Sequence, residues 1–350
     1  MTDHPDGSVQ TAVVVGCGLI GTSAALALTA AGVAVHLVDA DAGHVEMAAS
    51  LGAGSADPVD DADLVVVAVP PAVVVPAVID ALDRWPAAVV TDVASVKVPV
   101  CEAVGDPRFV GGHPMAGKER SGPMAASALL FEGRPWAVVP THTSSPEAVT
   151  TLEWLATTTR AVPQRFTAAD HDRAVALVSH VPHVVANLTA SLLRDAAPDH
   201  LALAGPGLRD VTRIAGSDAG LWVDILSANS MHVRELLADL RDDLSALLDD
   251  PTTDRLSVVL TRGREGTRRI PGKHGQGIAE LATVFVPIDD TPGQLSRLFG
   301  ACGDAGINIE DMRIDHEYGR EAGLVAIDVL PGRADDLVTA LSARGWAAYR

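Results

Sequence analysis

The chain has 350 residues, of which 48% are hydrophobic and 20% charged, a balance that supports more than one packed core and argues against a disordered chain. Its formal net charge of −19 argues against a nucleic-acid partner, because binding to phosphate depends on Lys and Arg displacing condensed counterions. Cys17, Cys101 and Cys302 are few, odd in number and widely spaced, which speaks against a disulfide framework and fits a reducing compartment. Residues 1–10 are polar, carry no Lys or Arg and do not read as a signal peptide. The longest apolar run, residues 64–79, is shorter than a membrane span and holds Pro70, Pro71 and Pro76. The expectation is a cytoplasmic protein with no membrane partner.

In chain order, a β-rich run at 12–15 leads into a glycine turn, an Ala/Leu helix to residue 31 and a second strand at 34–38, which is a βαβ unit. The alternation continues with a helix at 42–51, a strand at 64–68, a helix at 73–84 and a strand at 88–91. Continuous apolar strands separated by helices predict a parallel sheet covered on both faces. From residue 167 to 248 the apolar spacing is helical. Residues 249–277 are rich in Pro, Gly, Thr and Arg and read as a linker; Arg262, Arg264, Arg268, Arg269 and Lys273 within it suit a solvated connector or an anion-binding stretch. A strand at 281–287, a helix at 292–305, strands at 308–315 and 324–330, a helix at 334–343 and a short last strand then give a βαββαβ order, the ferredoxin-like arrangement. The fold class expected is an α/β Rossmann domain (1–166), an all-α helical domain (167–249), a linker (250–280) and a C-terminal α+β domain (281–350).

Gly16-Cys17-Gly18-Leu19-Ile20-Gly21 follows a strand and opens a helix, the context that gives a GxGxxG match its meaning. The first glycine permits the tight turn, the second lets backbone approach a pyrophosphate, and the third lets helix and strand pack closely. Asp39 stands 18 residues after Gly21 at the end of the second strand, near the spacing of a carboxylate that accepts ribose hydroxyls. No Arg follows it to meet a 2′-phosphate, so the cofactor expected is NAD.

Four further segments carry polar chemistry: 91–97 (TDVASVK) at a strand's C-terminal end, 111–119 (GGHPMAGKE), 179–183 (SHVPH) and 208–218 (LRDVTRIAGSD). Together with the glycine turn, and in this order, they make residues 11–248 resemble the prephenate and arogenate dehydrogenase family. That resemblance implies an oxidative decarboxylation in tyrosine biosynthesis: hydride leaves a cyclohexadienol carbon for NAD, CO2 departs, and prephenate becomes 4-hydroxyphenylpyruvate. It also implies a homodimer built on the helical domain.

The residues suit that chemistry. His113, read as lying on a loop between glycines, is the candidate general base for the ring hydroxyl, since neutral imidazole takes a proton near pH 7. Ser95 is the candidate donor to that imidazole or to the hydroxyl, or else a cap on a helix starting at 96. Lys97 reads as structural. Arg213, in the motif where the family places its substrate-binding Arg, offers a planar fork to a carboxylate, with His183 and His180 as further donors. The two His residues, three apart, also have the spacing of metal ligands, but no third ligand appears and no metal is expected. Trp222 and Glu119 are expected near the side-chain end at which prephenate and arogenate differ, which leaves the choice between them open. Ala94 stands where the family often has Gly, and Leu208 where it often has Phe.

Residues 281–350 resemble an ACT domain through 289–295 (DDTPGQL) and 306–309 (GINI), with Pro292 in the first turn of a helix. The resemblance implies paired domains that bind an amino acid, here tyrosine, or that only dimerise. Two other readings are weighed. A β-hydroxyacid dehydrogenase typically relies on a Lys in its helical half, and residues 167–248 contain none. A non-catalytic amino-acid-sensing protein is opposed by the presence of His113, Ser95 and Arg213.

Overall fold

Short β-branched runs between Ala-rich helices set the first unit of the computed structural model, which describes residues 9–117, 121–270, 281–289, 291–316 and 322–350. Its contacts divide the chain into residues 1–241 and 242–350. The first unit opens with β1 (Thr11–Val15), α1 (Leu19–Ala30), β2 (Ala34–Val38), α2 (Ala42–Ser50), β3 (Leu64–Val67), α3 (Val74–Arg84), β4 (Val89–Asp92), α4 (Val98–Ala103) and β5 (Phe109–Pro114). It continues through β6 (Pro135–Pro140), α5 (Pro146–Thr158) and β7 (Val162–Arg165). The seven strands form one sheet in the order β2-β1-β3-β4-β5-β6-β7, parallel except for the antiparallel pair β5 and β6. In β3, Leu64 and Val66 join one core while Val65 and Val67 join the other. A strand buried on both faces has no polar alternation to show, which is why it reads as a continuous apolar run.

The helical part follows as α6 (Ala168–Val175), a π-helical turn (Ala176–His180), α7 (Val181–Ser191), α8 (Pro198–Leu201), α9 (Pro206–Thr212), a 3-10 turn (Arg213–Gly216), α10 (Ala219–Ala228) and α11 (Ser230–Asp249). Thr167 caps α6 by accepting from the Asp170 N–H. Pro182 has no N–H to continue the α ladder, and the turn before it widens into the π-helix. The run Ala168–Ser191 is long and apolar enough to cross a membrane. Its polar side chains His171, Asp172, His180 and His183 are nevertheless buried among protein groups, the signature of a helix that builds a site.

The second unit corrects the expected linker. Residues 253–267 form α12 (Thr253–Thr267), with Asp254 in its first turn and Arg264 in its last, charges that suit the two ends of a helix dipole. Gly263 and Gly266, which signalled a connector, lie inside this helix. Arg262 pairs with Asp243 at 2.9 Å; Lys273 lies outside the described residues. The rest is β8 (Ala282–Asp289), α13 (Gln294–Asp304), β9 (Asp311–His316), β10 (Ala322–Val329) and α14 (Ala334–Ser342), with antiparallel order β8-β10-β9. The expected last strand is reduced to one bridge between Tyr349 and Phe285. Pro292 falls before α13, whose N-cap is Gly293 at φ +90°, a left-handed conformation that favours glycine.

Candidate active site

The glycine turn is dictated by backbone meeting backbone. Gly16 sits at φ +101°, and a Cβ there would lie 2.4 Å from the Ala68 carbonyl oxygen; at Gly21 it would lie 1.8 Å from that of Gly16. Gly18 differs, because a Cβ there meets nothing within 4 Å. It faces open space at the start of α1, where Leu19 and Ile20 begin a helix with no side-chain cap and no acid in its first turn. The first N–H groups of a helix have no partner inside it, so this end suits an anion. The Asp39 carboxylate accepts from the Cys17 N–H at 2.6 Å and the Asp41 N–H at 2.8 Å, which holds it at the tip of β2. An anion-binding helix end beside a fixed carboxylate fits a dinucleotide. Burial, with the Asp39 charge second, pushes the Cys17 thiol up to about 12, so it stays protonated.

Four residues explain why TDVASVK and GGHP belong together. Lys97 is fully buried, and its ammonium donates to the Asp92 carboxylate and, at 2.7 Å, to the Gly112 carbonyl. Asp92 also accepts from the Ala94 N–H at 2.9 Å. At Gly112 a Cβ would lie 2.6 Å from the Asp92 carbonyl oxygen, and at Gly111 2.9 Å from Cys101 Sγ, so the paired glycines leave room for this clamp. The clamp aligns the last residues of β4 and β5.

His113 corrects the sequence reading of its position, for it lies on β5 opposite Ala137, buried, and not on a loop. The glycines before it serve close strand packing and not looseness. Its Nδ1 lies 2.9 Å from His171 Nε2, and His171 Nδ1 lies 2.7 Å from Asp172 Oδ1. Burial holds the His113 imidazole well below its ordinary value, with the neighbouring His171, Lys97 and His180 adding to the effect. His180 is brought down to about 4, first by burial; Asp172 opposes this, while His171 and His183 reinforce it. His183 is also lowered by burial. Its ring stacks on Trp222 at 3.5 Å and 7°, and His180 meets the same indole edge-on at 6.1 Å.

The fold thus sets His113, on β5, near His180 of the helical part, where His180 and His183 both meet Trp222. Ser95 is half-buried and makes no hydrogen bond among the described residues; it neither caps α4, which starts at Val98, nor donates to His113, whose Nδ1 is taken by His171. Arg213 is exposed at the start of the 3-10 turn, which packs on α7. Glu119 lies outside the described residues. His171, Asp172 and Asn229 escaped the sequence reading. The signal for the first two was the DHD run at 170–172, three polar residues at the head of an apolar helix. Among the described residues, no group of three His, Cys, Asp or Glu is arranged to hold a metal ion.

Comparison with known proteins yields two family models, one described as prephenate dehydrogenase, nucleotide-binding domain, matching residues 24–163. The other is described as prephenate dehydrogenase, dimerization domain, and matches residues 167–260. The chain is 36% identical to the probable prephenate dehydrogenase NovF of Streptomyces niveus, over 97% of this chain and 99% of that one. Among solved structures it is similar to prephenate dehydrogenase from A. aeolicus in complex with hydroxyphenyl propionate and NAD+, with TM-score 0.66, 26% identity and 75% and 99% of the two chains covered. It is also similar to Synechocystis arogenate dehydrogenase, with TM-score 0.61, 29% identity and 73% and 98% covered.

Proposed function

The chain belongs to the prephenate dehydrogenase family, and on that premise we propose that it oxidises prephenate to 4-hydroxyphenylpyruvate with loss of CO2. NAD, when bound, supplies the hydride acceptor; Gly16, Gly18, Leu19, Ile20 and Gly21 would hold its pyrophosphate and Asp39 its ribose. The observation that carries the reading is His113, a buried imidazole kept neutral at the end of β5. It takes the proton of the ring hydroxyl as hydride leaves the same carbon, and Ser95, whose hydroxyl has no hydrogen-bond partner among the described residues, orients that oxygen. Loss of CO2 then makes the ring aromatic, so the residues need only orient and deprotonate.

His180 and His183 are held neutral, so they offer the substrate's carboxylates hydrogen bonds and no charge. Trp222 fixes the His183 ring by stacking on it. The cationic role falls to Arg213. Arg213→Ala should raise the KM for prephenate by roughly 10–100-fold, the loss of a charge-assisted pair, with the KM for NAD unchanged. An effect confined to NAD would contradict the assignment.

Following NADH absorbance with prephenate and with arogenate, each with NAD and NADP, tests the function. Prephenate with NAD should dominate. Similarity to an arogenate dehydrogenase makes arogenate the second reading, and preference for it would replace the first.

The apolar side chains Leu188, Leu192 and Met231 are 61%, 78% and 65% exposed in the helical part, which supports a homodimer formed there. The small antiparallel sheet at the C-terminus, with Tyr349 bridging to Phe285 of β8, supports an ACT domain, and tyrosine is the effector proposed for it. Tyrosine added to the same assay should lower the rate. Three buried cysteines with raised thiols fit a cytoplasmic enzyme.

A further inference from the structure

His171, Asp172 and Asn229 are buried and have no part in the scheme above, yet they join its two central histidines. We infer that these three are positioning residues that fix opposite tautomers on His113 and His180, leaving a bare Nε2 on the first and an Nε2–H on the second. The inference rests on the reading of His113 as the proton acceptor.

The wiring starts at Asp172. Its Oδ1 accepts from the Lys97 N–H at 2.7 Å and its Oδ2 from the Val98 N–H at 2.8 Å. Both carboxylate oxygens thus act as acceptors of backbone N–H groups. His171 Nδ1, 2.7 Å from Oδ1, must therefore carry a proton. Taken as a neutral imidazole, His171 has one N–H, at Nδ1, and its Nε2 offers only a lone pair. His113 Nδ1, 2.9 Å away, must then donate, and its own Nε2 is left bare. A base needs that lone pair, and the other tautomer would present a hydrogen to the hydroxyl it is to deprotonate.

Asn229 gives His180 the opposite setting. Its Nδ2 donates to the Asp172 carbonyl oxygen at 2.7 Å and lies 3.1 Å from His180 Nδ1. The carbonyl only accepts, which fixes the amide's orientation and makes His180 Nδ1 an acceptor. The His180 proton is therefore on Nε2, where it can be donated to a carboxylate. One residue, Asp172, thus anchors both arms, by its side chain and by its carbonyl.

During turnover the hydroxyl proton enters at His113 Nε2, and the Nδ1 proton stays shared with His171 Nε2. If it crosses, His171 carries the charge beside the Asp172 carboxylate, and no further donor or acceptor is needed. Among the described residues, the charged or titratable groups facing His113 are His171, Lys97 and His180, and the Lys97 charge is already matched by Asp92. The new positive charge has the Asp172 carboxylate one ring away, as in other base-orienting dyads.

His171→Phe keeps a ring of similar size and removes both nitrogens; His171→Gln can return an acceptor near the Nε2 position. With prephenate and NAD, Phe should lower kcat by roughly 10²–10⁴ with the KM for NAD unchanged, and Gln should recover at least about tenfold. Phe performing as well as Gln or better, the result of a packing role alone, would overturn the inference. Long-range 1H–15N correlation on the full-length wild-type protein with 15N-histidine reads the wiring without turnover. The Nδ1–H form at His113 and the Nε2–H form at His180 are expected, and either reversed sets the wiring aside even if no variant folds. If His113→Asn keeps full turnover while the two tautomers are as expected, the reading of His113 as base fails and the wiring stands.

Discussion

His113→Asn should cut kcat for prephenate by roughly 10²–10⁴, the usual worth of a positioned general base, while NAD affinity changes little. Asn can still donate to His171 Nε2 from about the place of the lost Nδ1, so the packing of β5 is kept and the lost function is the lone pair at Nε2. The same imidazole sets the pH dependence. Because burial holds His113 well below the ordinary 6.5, the base is neutral at pH 7 and remains so as the medium is acidified through 6.5. The acid limb of kcat/KM in the wild type should therefore lie well below 6.5 and be absent from the residual activity of the variant. Stability has the same sign. Both His113 and His180 bind protons less readily folded than unfolded, so their contribution is whole above 6.5 and is lost as the pH falls toward about 4 and below. Turnover unaltered by the substitution would remove His113 from the mechanism.

Lys97→Met should destabilise the first unit by about 3–5 kcal/mol, the cost of leaving a buried charge without its partner. Both side chains of the Lys97 and Asp92 pair are fully buried. Removing the ammonium leaves Asp92 with the Ala94 and Gly112 N–H groups and strips the Gly112 carbonyl of its side-chain donor. The urea midpoint would fall, and activity with it, because β4 and β5 lose the alignment that sets His113 against α6. Lys97→Met combined with Asp92→Asn should be more stable than Lys97→Met alone, since the second change removes the stranded charge. A single variant with an unchanged midpoint would contradict the clamp.

The sheet half of the fold was legible because its strands are buried on both faces and its cofactor turn is governed by local backbone geometry. The tight turn at Gly16 and Gly21 and the place of Asp39 at the end of β2 follow from spacing because each is set within a single βαβ unit. The helical half was legible as helix but not as a site, since the partners of His113 are far away in sequence and meet it only through tertiary packing. The link from His113 to His171 spans 58 residues and that from Asp172 to Asn229 spans 57. His113 was misplaced on a loop because two glycines normally signal a turn, whereas here Gly111 makes room for Cys101 and Lys97 and Gly112 for the Asp92 backbone. The linker misread has a similar origin. Gly and Arg dominate the composition of 249–277, but Leu256 and Leu260 at i and i+4 and the charges at either end carry a helix over 253–267.

A crystal structure of the chain with NAD and a hydroxyphenyl product analogue bound tests the placement of the base most directly. His113 Nε2 should lie about 2.6–3.2 Å from the ring hydroxyl oxygen, with His171 still on its Nδ1. A ring hydroxyl held by other groups, with the His113 imidazole turned away and out of reach, would contradict the account.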